Sequence, residues 1–178
     1  MTIDDLRAIL PHSGRRVDQF FPYLESTMQE FHIDSAPRQA AFIAQLAHES
    51  GEFRYVQEIA SGDAYEGRRD LGNTEPGDGR RFKGRGLIQV TGRDNYRDCG
   101  HALGLPLLDQ PDLLEQPEHA CRSAGWFWAS RGLNEKADMS DFLGISIKIN
   151  GRNRSTGLPN GWSDRLMYWG RAKMVLGV

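Results

Sequence analysis

Cysteine is scarce in this chain of 178 residues, since Cys99 and Cys121 are the only two. Neither lies in a CxxC pair or at a spacing typical of zinc ligands, and the five histidines are scattered, so we predict no metal site. The two cysteines could pair with each other. Because nothing in the sequence indicates an oxidising compartment, we expect buried free thiols instead.

An excess of charge is lacking too. The 22 Lys and Arg residues against 24 Asp and Glu give a net charge of -2. No overall positive field would therefore attract nucleic acid or an anionic membrane. The charge is uneven along the chain, because residues 68–94 contain more cations than acids; the cations are Arg68, Arg69, Arg80, Arg81, Lys83, Arg85 and Arg93. This segment is either a solvated basic loop or the border of a cleft for a polymer carrying carboxylates.

Long apolar runs are absent, and the N-terminal residues Met1–Leu6 include acids where a signal peptide has a basic start and an apolar run. We therefore expect no stable membrane insertion and folding in a bacterial cytoplasm, with any export dependent on other factors. The content of 39% hydrophobic and 26% charged residues is typical of a globular protein. The length predicts a single domain spanning 1–178, which we expect to be a monomer.

Apolar residues recur at helical spacing over much of the chain. Thr2 and Asp5 predict a capping box on a short helix that ends before Pro11. A second helix is expected over about 16–31, and Ser35 should begin an alanine-rich helix that Gly51 could end. Further helices are predicted near 94–103, 117–130, 140–149 and 163–175. Glycines and a proline break the pattern at 61–83, a long loop or small lobe, so the fold class is mainly α.

Two acidic residues follow the alanine-rich helix. Glu49 lies at its C-terminal end and Glu58 comes nine positions later, too far for neighbours on one helical turn. If the chain turns between them, the two carboxylates could face each other across a gap, as hydrolysis of a glycoside with inversion requires. Glu49 follows an apolar helix face and suits the acid, whereas Glu58 has polar neighbours and suits the base. Glu52 is the alternative base.

A glycine-rich stretch, 82–96, supplies the neutral polar groups. Gly84 and Gly86 allow a ligand to approach the backbone closely. Gln89, Thr91 and Asn95 then offer hydrogen-bonding groups for sugar hydroxyls, amides and a water molecule. The aromatic cluster at 126–128 is predicted to lie in the core, while Trp162 could equally line a cleft or pack inside.

Several of these motifs occur in a characteristic order between about residues 37 and 165. They are His48-Glu49-Ser50, the segment from Gly84 to Thr91, Asn95-Tyr96, Ile149-Asn150-Gly151 and Asp164-Arg165. This series resembles the signature motifs of glycoside hydrolase family 19, and most closely those of its compact bacteriophage endolysin branch.

The resemblance implies a lysozyme-like, two-lobed α fold and an inverting mechanism without metal or cofactor. In that scheme Glu49 is the general acid, Glu58 is the general base, and Thr91 helps the base to hold the attacking water. Residues implied at the sugar site are Gln89, Asn95, Asn150 and Arg165. His48 either tunes Glu49 at the substrate site or is a packing histidine.

The expected function is that of an endolysin. Its partner would be the glycan strands of peptidoglycan, cut at the β-1,4 bond between N-acetylmuramic acid and N-acetylglucosamine, with access to the wall once the membrane is permeabilised. A chitinase of the same family is one alternative, because it would share every catalytic residue and differ only in its subsites. The segment Gly92-Arg93-Asp94, which departs from the chitinase pattern, lies at such a subsite. A non-catalytic glycan-binding module is the other.

Overall fold

The computed structural model describes all residues from 1 to 178 and confirms the mainly α prediction. It contains no strands, and the only β-type pairing is two isolated bridges. The nine α-helices are α1 (Ile3–Ile9), α2 (Arg16–Glu30), α3 (Ala36–Ser50), α4 (Asp78–Arg81), α5 (Arg93–Leu103), α6 (Pro117–Ser130), α7 (Leu133–Asp138), α8 (Phe142–Asn150) and α9 (Trp162–Leu176). Three short 3-10 turns cover Asp63–Tyr65, Arg69–Leu71 and Pro111–Glu115.

Side-chain caps determine where the predicted helices begin and end. Thr2 and Asp5 form the expected capping box on α1. The Ser35 hydroxyl accepts from the backbone N–H of Arg38 at the start of α3, and Gly51 ends that helix with a φ of 58°. Helix α8 begins at Phe142, two residues later than predicted, because the Asp141 carboxylate caps it by accepting from Gly144. Each boundary follows from a local hydrogen bond.

Helices α1–α3 and α6–α9 pack together, and we call this group the first lobe; α3 lies at its centre. It packs against α9 and α7, while α2 packs against α6. Alanines on α3 are fully or almost fully buried and allow neighbouring helices to come close; they are Ala40, Ala41, Ala44 and Ala47. A Cβ on Gly125 of α6 would lie 2.3 Å from the Phe31 ring, so only glycine fits there. One cluster of 35 buried hydrophobic residues forms the core.

The segment 61–83 is ordered, and together with Glu58 and the stretch 82–96 it forms a group that we call the second lobe. Both oxygens of Glu66 accept backbone N–H groups, from Gly77 and from Gly79. Asn73 donates to the Tyr65 carbonyl and accepts from the Arg93 backbone. These side-chain bonds replace the helical ladder that the glycine-rich sequence does not form.

Both cysteines are free and buried, as expected. Burial raises the pKa of the Cys99 thiol to about 12. Trp128 is buried and packs edge-on against Phe42, and Trp162 packs against Phe142 rather than standing free. None of the helices combines the length and apolar character needed to cross a membrane.

Candidate active site

Glu49 lies in the last turn of α3 and accepts a hydrogen bond from the guanidinium of a buried arginine. Its Oε1 is 2.5 Å from Nη2 of Arg165, and the side chains are 16% and 0% exposed, respectively. The same guanidinium donates to the side-chain oxygen Oε1 of Gln45 and, through Nε, to the backbone carbonyl of Asn160 at 3.0 Å. Gln45 in turn donates to the Ser146 hydroxyl at 2.7 Å. This hydrogen-bonded set fixes the orientation of the Glu49 carboxylate.

Glu58 is held by the second lobe. Its Oε2 accepts from the Gly84 N–H at 3.1 Å, and its Oε1 accepts from the Tyr65 hydroxyl at 3.0 Å. The Glu58 backbone N–H donates to the Gly84 carbonyl at 2.8 Å, so the two segments are paired in both directions. Burial and the bond to Glu58 raise the pKa of Tyr65, which therefore remains a donor at neutral pH.

Three side-chain oxygens converge on Gly84. A Cβ added at this position would lie 2.7 Å from Gln89 Oε1, 3.2 Å from Glu58 Oε2 and 3.3 Å from Thr91 Oγ1. Gly84 is buried and has no positive φ, so the requirement for glycine is spatial. The structure thus brings the predicted base, the predicted water-holding hydroxyl and a sugar-site amide around one point.

Gln89, Thr91 and Asn95 form one hydrogen-bonded turn. Gln89 adopts a positive φ of 58°, which is uncommon for a residue with a side chain. The Thr91 hydroxyl donates to the Gln89 carbonyl at 2.9 Å, and the Asn95 amide donates to the Thr91 carbonyl at 2.7 Å. Asn95 therefore supports the turn at the start of α5, and its amide oxygen carries no bond within the protein.

Glu52 belongs to a different environment. It is 3% exposed, and its two oxygens accept from the His12 backbone N–H at 2.7 Å and from the Tyr168 hydroxyl at 3.0 Å. Glu52 and Phe53 both have positive φ, 55° and 65°, in the tight turn that follows α3. The carboxylate of Glu52 is thus used to anchor this turn against α9 and the chain before α2, which leaves Glu58 as the stronger candidate base.

His48 and Asn150 lie on the side of the site that bears Glu49. His48 Nδ1 is 2.6 Å from an Asp164 oxygen, and its ring occupies the space where Gly161 would carry a Cβ. The Asn150 side-chain oxygen accepts from the Asn160 backbone N–H at 2.9 Å. Because the Asn160 carbonyl accepts from Arg165, Asn150 is connected to Glu49 through two intermediates.

An ion pair below the glycine-rich turn was not foreseen from the sequence. Arg85 is buried, and its Nε donates to Glu115 at 2.8 Å, while Gln57 donates to the same carboxylate oxygen at 2.6 Å. Arg85 also donates to the Tyr96 hydroxyl at 3.1 Å. The carboxylate of Glu115 thereby ties the segment before Glu58 to the turn that carries Gln89.

Tyr65 and Gln45 were also missed. Gln45 lies four residues before Glu49 on α3, so helical spacing could have placed it on the same face. Nothing in the local sequence of Tyr65 indicates its bond to Glu58, since the contact depends on the fold of the 61–83 segment.

The cations of 68–94 are mostly engaged within the protein. Arg68 pairs with Asp70, Arg80 with Asp63, Arg85 with Glu115, and Arg93 with Asp78 and Glu75. Arg81 donates to the carbonyls of Leu108 and Asp109. Arg69, Arg81 and Lys83 have no carboxylate partner, so these contacts neutralise only part of the positive charge of the segment.

Further cations without a carboxylate partner lie beside Asn150. We call residues 151–161, between α8 and α9, the rim loop. Lys148, Arg152 and Arg154 are exposed, and none of them forms an ion pair, although Arg152 donates to the Gly157 carbonyl at 3.0 Å. No acidic residue occurs between Asp141 and Asp164. The rim loop and the end of α8 therefore form a locally positive surface in a chain of net charge -2.

Comparison with known proteins gives a consistent result. The family model described as chitinase class I, of glycoside hydrolase family 19, matches residues 34–145. An endochitinase of Arabidopsis thaliana is 36% identical over 141 residues, covering 78% of this chain but 48% of that protein. The chain thus spans about half the length of such plant relatives.

Bacterial proteins match over more of their length. A glycosyl hydrolase family 19 domain-containing protein of Haemophilus influenzae is 27% identical over 198 residues, covering 94% of this chain and 92% of that protein. Chitinase C of Streptomyces griseus has a similar structure, with a TM-score of 0.81 at 24% identity, covering 99% of this chain and 76% of that one. This likeness confirms the expected lysozyme-like fold, and from the family match and the plant relative we conclude that the chain belongs to glycoside hydrolase family 19.

Proposed function

We propose that this protein is a glycoside hydrolase that cuts β-1,4 bonds in peptidoglycan between N-acetylmuramic acid and N-acetylglucosamine, with the role of an endolysin. The observation that supports the hydrolase assignment is the convergence of Glu58, Thr91 and Gln89 around Gly84. This group would supply the base, whereas Glu49 with its arginine would supply the acid. A glycan-binding module would need neither a carboxylate held beside a hydroxyl nor a second carboxylate on a buried guanidinium.

In the proposed mechanism Glu49 protonates the glycosidic oxygen as the bond breaks. The carboxyl group becomes a carboxylate in that step, and the guanidinium of Arg165, already in place at 2.5 Å, stabilises the negative charge without reorganisation. The role of Gln45 and Ser146 is to keep the guanidinium directed at Glu49.

Glu58 acts as the base on the opposite face of the sugar. It accepts a proton from a water molecule that is also bound by the Thr91 hydroxyl, and the water attacks an oxocarbenium-like centre. The Gly84 N–H and the Tyr65 hydroxyl donate to Glu58 and orient it. A single displacement of this kind converts a β-linkage into an α-anomeric product.

The local charge favours peptidoglycan over chitin. Chitin is uncharged, whereas peptidoglycan bears carboxylates on its stem peptides. The unpaired cations Lys148, Arg152 and Arg154 flank Asn150, the residue implied at the sugar site. A chitinase remains the second candidate, because the plant relative named above is an endochitinase.

The test is the identification of products from purified peptidoglycan and from chitin oligosaccharides. Mass spectrometry should find N-acetylmuramic acid at the new reducing end, and NMR at early times should find the α-anomer. Glu49→Gln and Glu58→Gln should each lower the rate by about 10²–10⁴-fold with the fold intact. Products from chitin alone would establish the second candidate, and a β-anomer would exclude inversion.

A further inference from the structure

A small depression lies beside the positive surface, along the exposed flank of α8. Its volume is about 350 Å³, which is within the range of ligand pockets. Leu143 and Ile147, one helical turn apart, form an apolar floor, and the Asp141 carboxylate fills the space where Gly144 would carry a Cβ. Lys148 and Arg152 line one end. We refer to this feature as the α8 pocket.

The two ends of the α8 pocket differ in charge. At one end Lys136 is neutralised by Asp141 at 2.7 Å. At the other, Lys148 and Arg152 have no carboxylate partner, and the protein supplies none between Asp141 and Asp164. An exposed cation pair over an apolar floor suits a ligand that has both small alkyl groups and carboxylates.

The α8 pocket is connected to the proposed catalytic site through Asn150. Asn150 lies between Lys148 and Arg152 in the chain, and its side chain binds the Asn160 backbone N–H of the rim loop. The carbonyl of the same Asn160 binds Arg165, the partner of Glu49. A substituent that projects from a sugar bound at Asn150 could therefore reach the pocket on the Glu49 side.

We propose that the α8 pocket is a subsite for the stem peptide of peptidoglycan, with Lys148 and Arg152 binding its carboxylates and Leu143 and Ile147 contacting its alanine methyl groups. This proposal rests on the peptidoglycan function proposed above. Chitin has no such substituent, so the pocket would determine specificity without taking part in the bond cleavage.

The experiment compares two soluble, uncross-linked substrates. One is glycan strands that carry stem peptides, and the other is the same strands after digestion with an N-acetylmuramoyl-L-alanine amidase. The amidase hydrolyses the amide bond between the lactyl group and L-alanine and so frees one lactyl carboxylate on each muramic acid. Both substrates are therefore anionic, and the digested strands lack the peptide. The measured quantity is the initial rate of formation of reducing ends at low substrate concentration.

The wild-type protein should cleave the peptide-bearing strands about fivefold faster, the effect expected of two exposed ion pairs. The double variant Lys148→Gln/Arg152→Gln should lose this preference, with a smaller loss of rate on the stripped strands than on the peptide-bearing strands. Lys148→Arg/Arg152→Lys, which preserves both charges, should retain the preference. Arg15→Gln removes an exposed cation in the loop before α2, distant in sequence from α8, and should retain the preference too.

Salt provides a second measurement that a structural effect would not reproduce. Raising the ionic strength from about 0.05 to about 0.5 M should reduce the wild-type preference and leave the double glutamine variant unchanged. If the double glutamine variant keeps the full preference, or loses equal activity on both substrates, the subsite proposal is wrong and the peptidoglycan function is unaffected. A wild-type protein that cleaves neither substrate would overturn both the subsite and the peptidoglycan function.

Discussion

Substitution of Glu52 by glutamine separates a structural carboxylate from the proposed catalytic pair. Glu52 is 3% exposed and accepts two hydrogen bonds, from the His12 N–H and the Tyr168 hydroxyl. A glutamine could keep its oxygen on His12, whose N–H can only donate, and turn its NH₂ group to Tyr168, whose hydroxyl can accept. The shape and both contacts would survive, and only the charge would be lost.

The expected cost is therefore the difference between charged and neutral hydrogen bonds. Bonds to a charged group contribute about 1.5–3 kcal/mol and neutral ones about 0.5–1.5, so Glu52→Gln, which changes two bonds, should lower the free energy of unfolding by about 2–3 kcal/mol. For a chain of 178 residues this corresponds to a decrease in Tm of about 4–12 °C. The turn contains two residues with positive φ, Glu52 and Phe53, which makes its anchoring more important.

The assay pairs thermal unfolding with hydrolysis measured well below the Tm of the variant. We expect Glu52→Gln to retain kcat within about twofold, whereas Glu58→Gln should lose about 10²–10⁴-fold in rate. The reverse pattern, an inactive Glu52→Gln protein with an unchanged Tm, would refute this reasoning and return the base role to Glu52.

Three further predictions concern the scaffold. Gly84→Ala should reduce kcat at least about tenfold, because the new methyl group would crowd the oxygens around it. The control Gly170→Ala, where no atom lies near the new methyl group, should be neutral or stabilising by up to about 1 kcal/mol. The hydrogen bond from Arg93 holds the pKa of Asp78 below its usual value. The contribution of Asp78 to stability is therefore complete above about pH 4 and is lost as the pH falls through the pKa of the folded state. Asp78→Asn should weaken this acid dependence in urea unfolding curves. Because burial raises the pKa of Cys99 to about 12, native protein should react slowly with a thiol reagent and unfolded protein rapidly, as absorbance can follow.

Local chemistry explains which helices the sequence predicts well. The start of α3 follows from the Ser35 cap and its end from Gly51, and both lie within a few residues of the groups they bind. Helix α7 was missed because it has six residues and only two buried positions, Leu133 and Ala137, which is too short for a periodic pattern. The late start of α8 depends on a single side chain, that of Asp141.

The candidate site shows a similar limit. Motifs within one segment, such as the run from Gly84 to Thr91, were recognisable from order and residue type. The contact of Tyr65 with Glu58 and that of Glu115 with Arg85 were not, because each depends on how irregular segments fold back on one another. Charge illustrates the point further, since a count of cations in 68–94 cannot reveal that Arg80 finds its partner, Asp63, seventeen residues away.

The two proposed catalytic carboxylates are held by different parts of the molecule. Glu49 depends on Arg165 from α9 and, through Gln45, on Ser146 from α8. Glu58 depends on backbone and side-chain donors of the second lobe. The direct chain connection between them is the turn after α3, where Glu52 anchors the backbone against α9. The separation of the two carboxylates is thus set by packing between lobes and by this turn, whereas the orientation of each carboxylate is set within its own lobe. A change in either set of supporting bonds should therefore alter one catalytic role and leave the other in place.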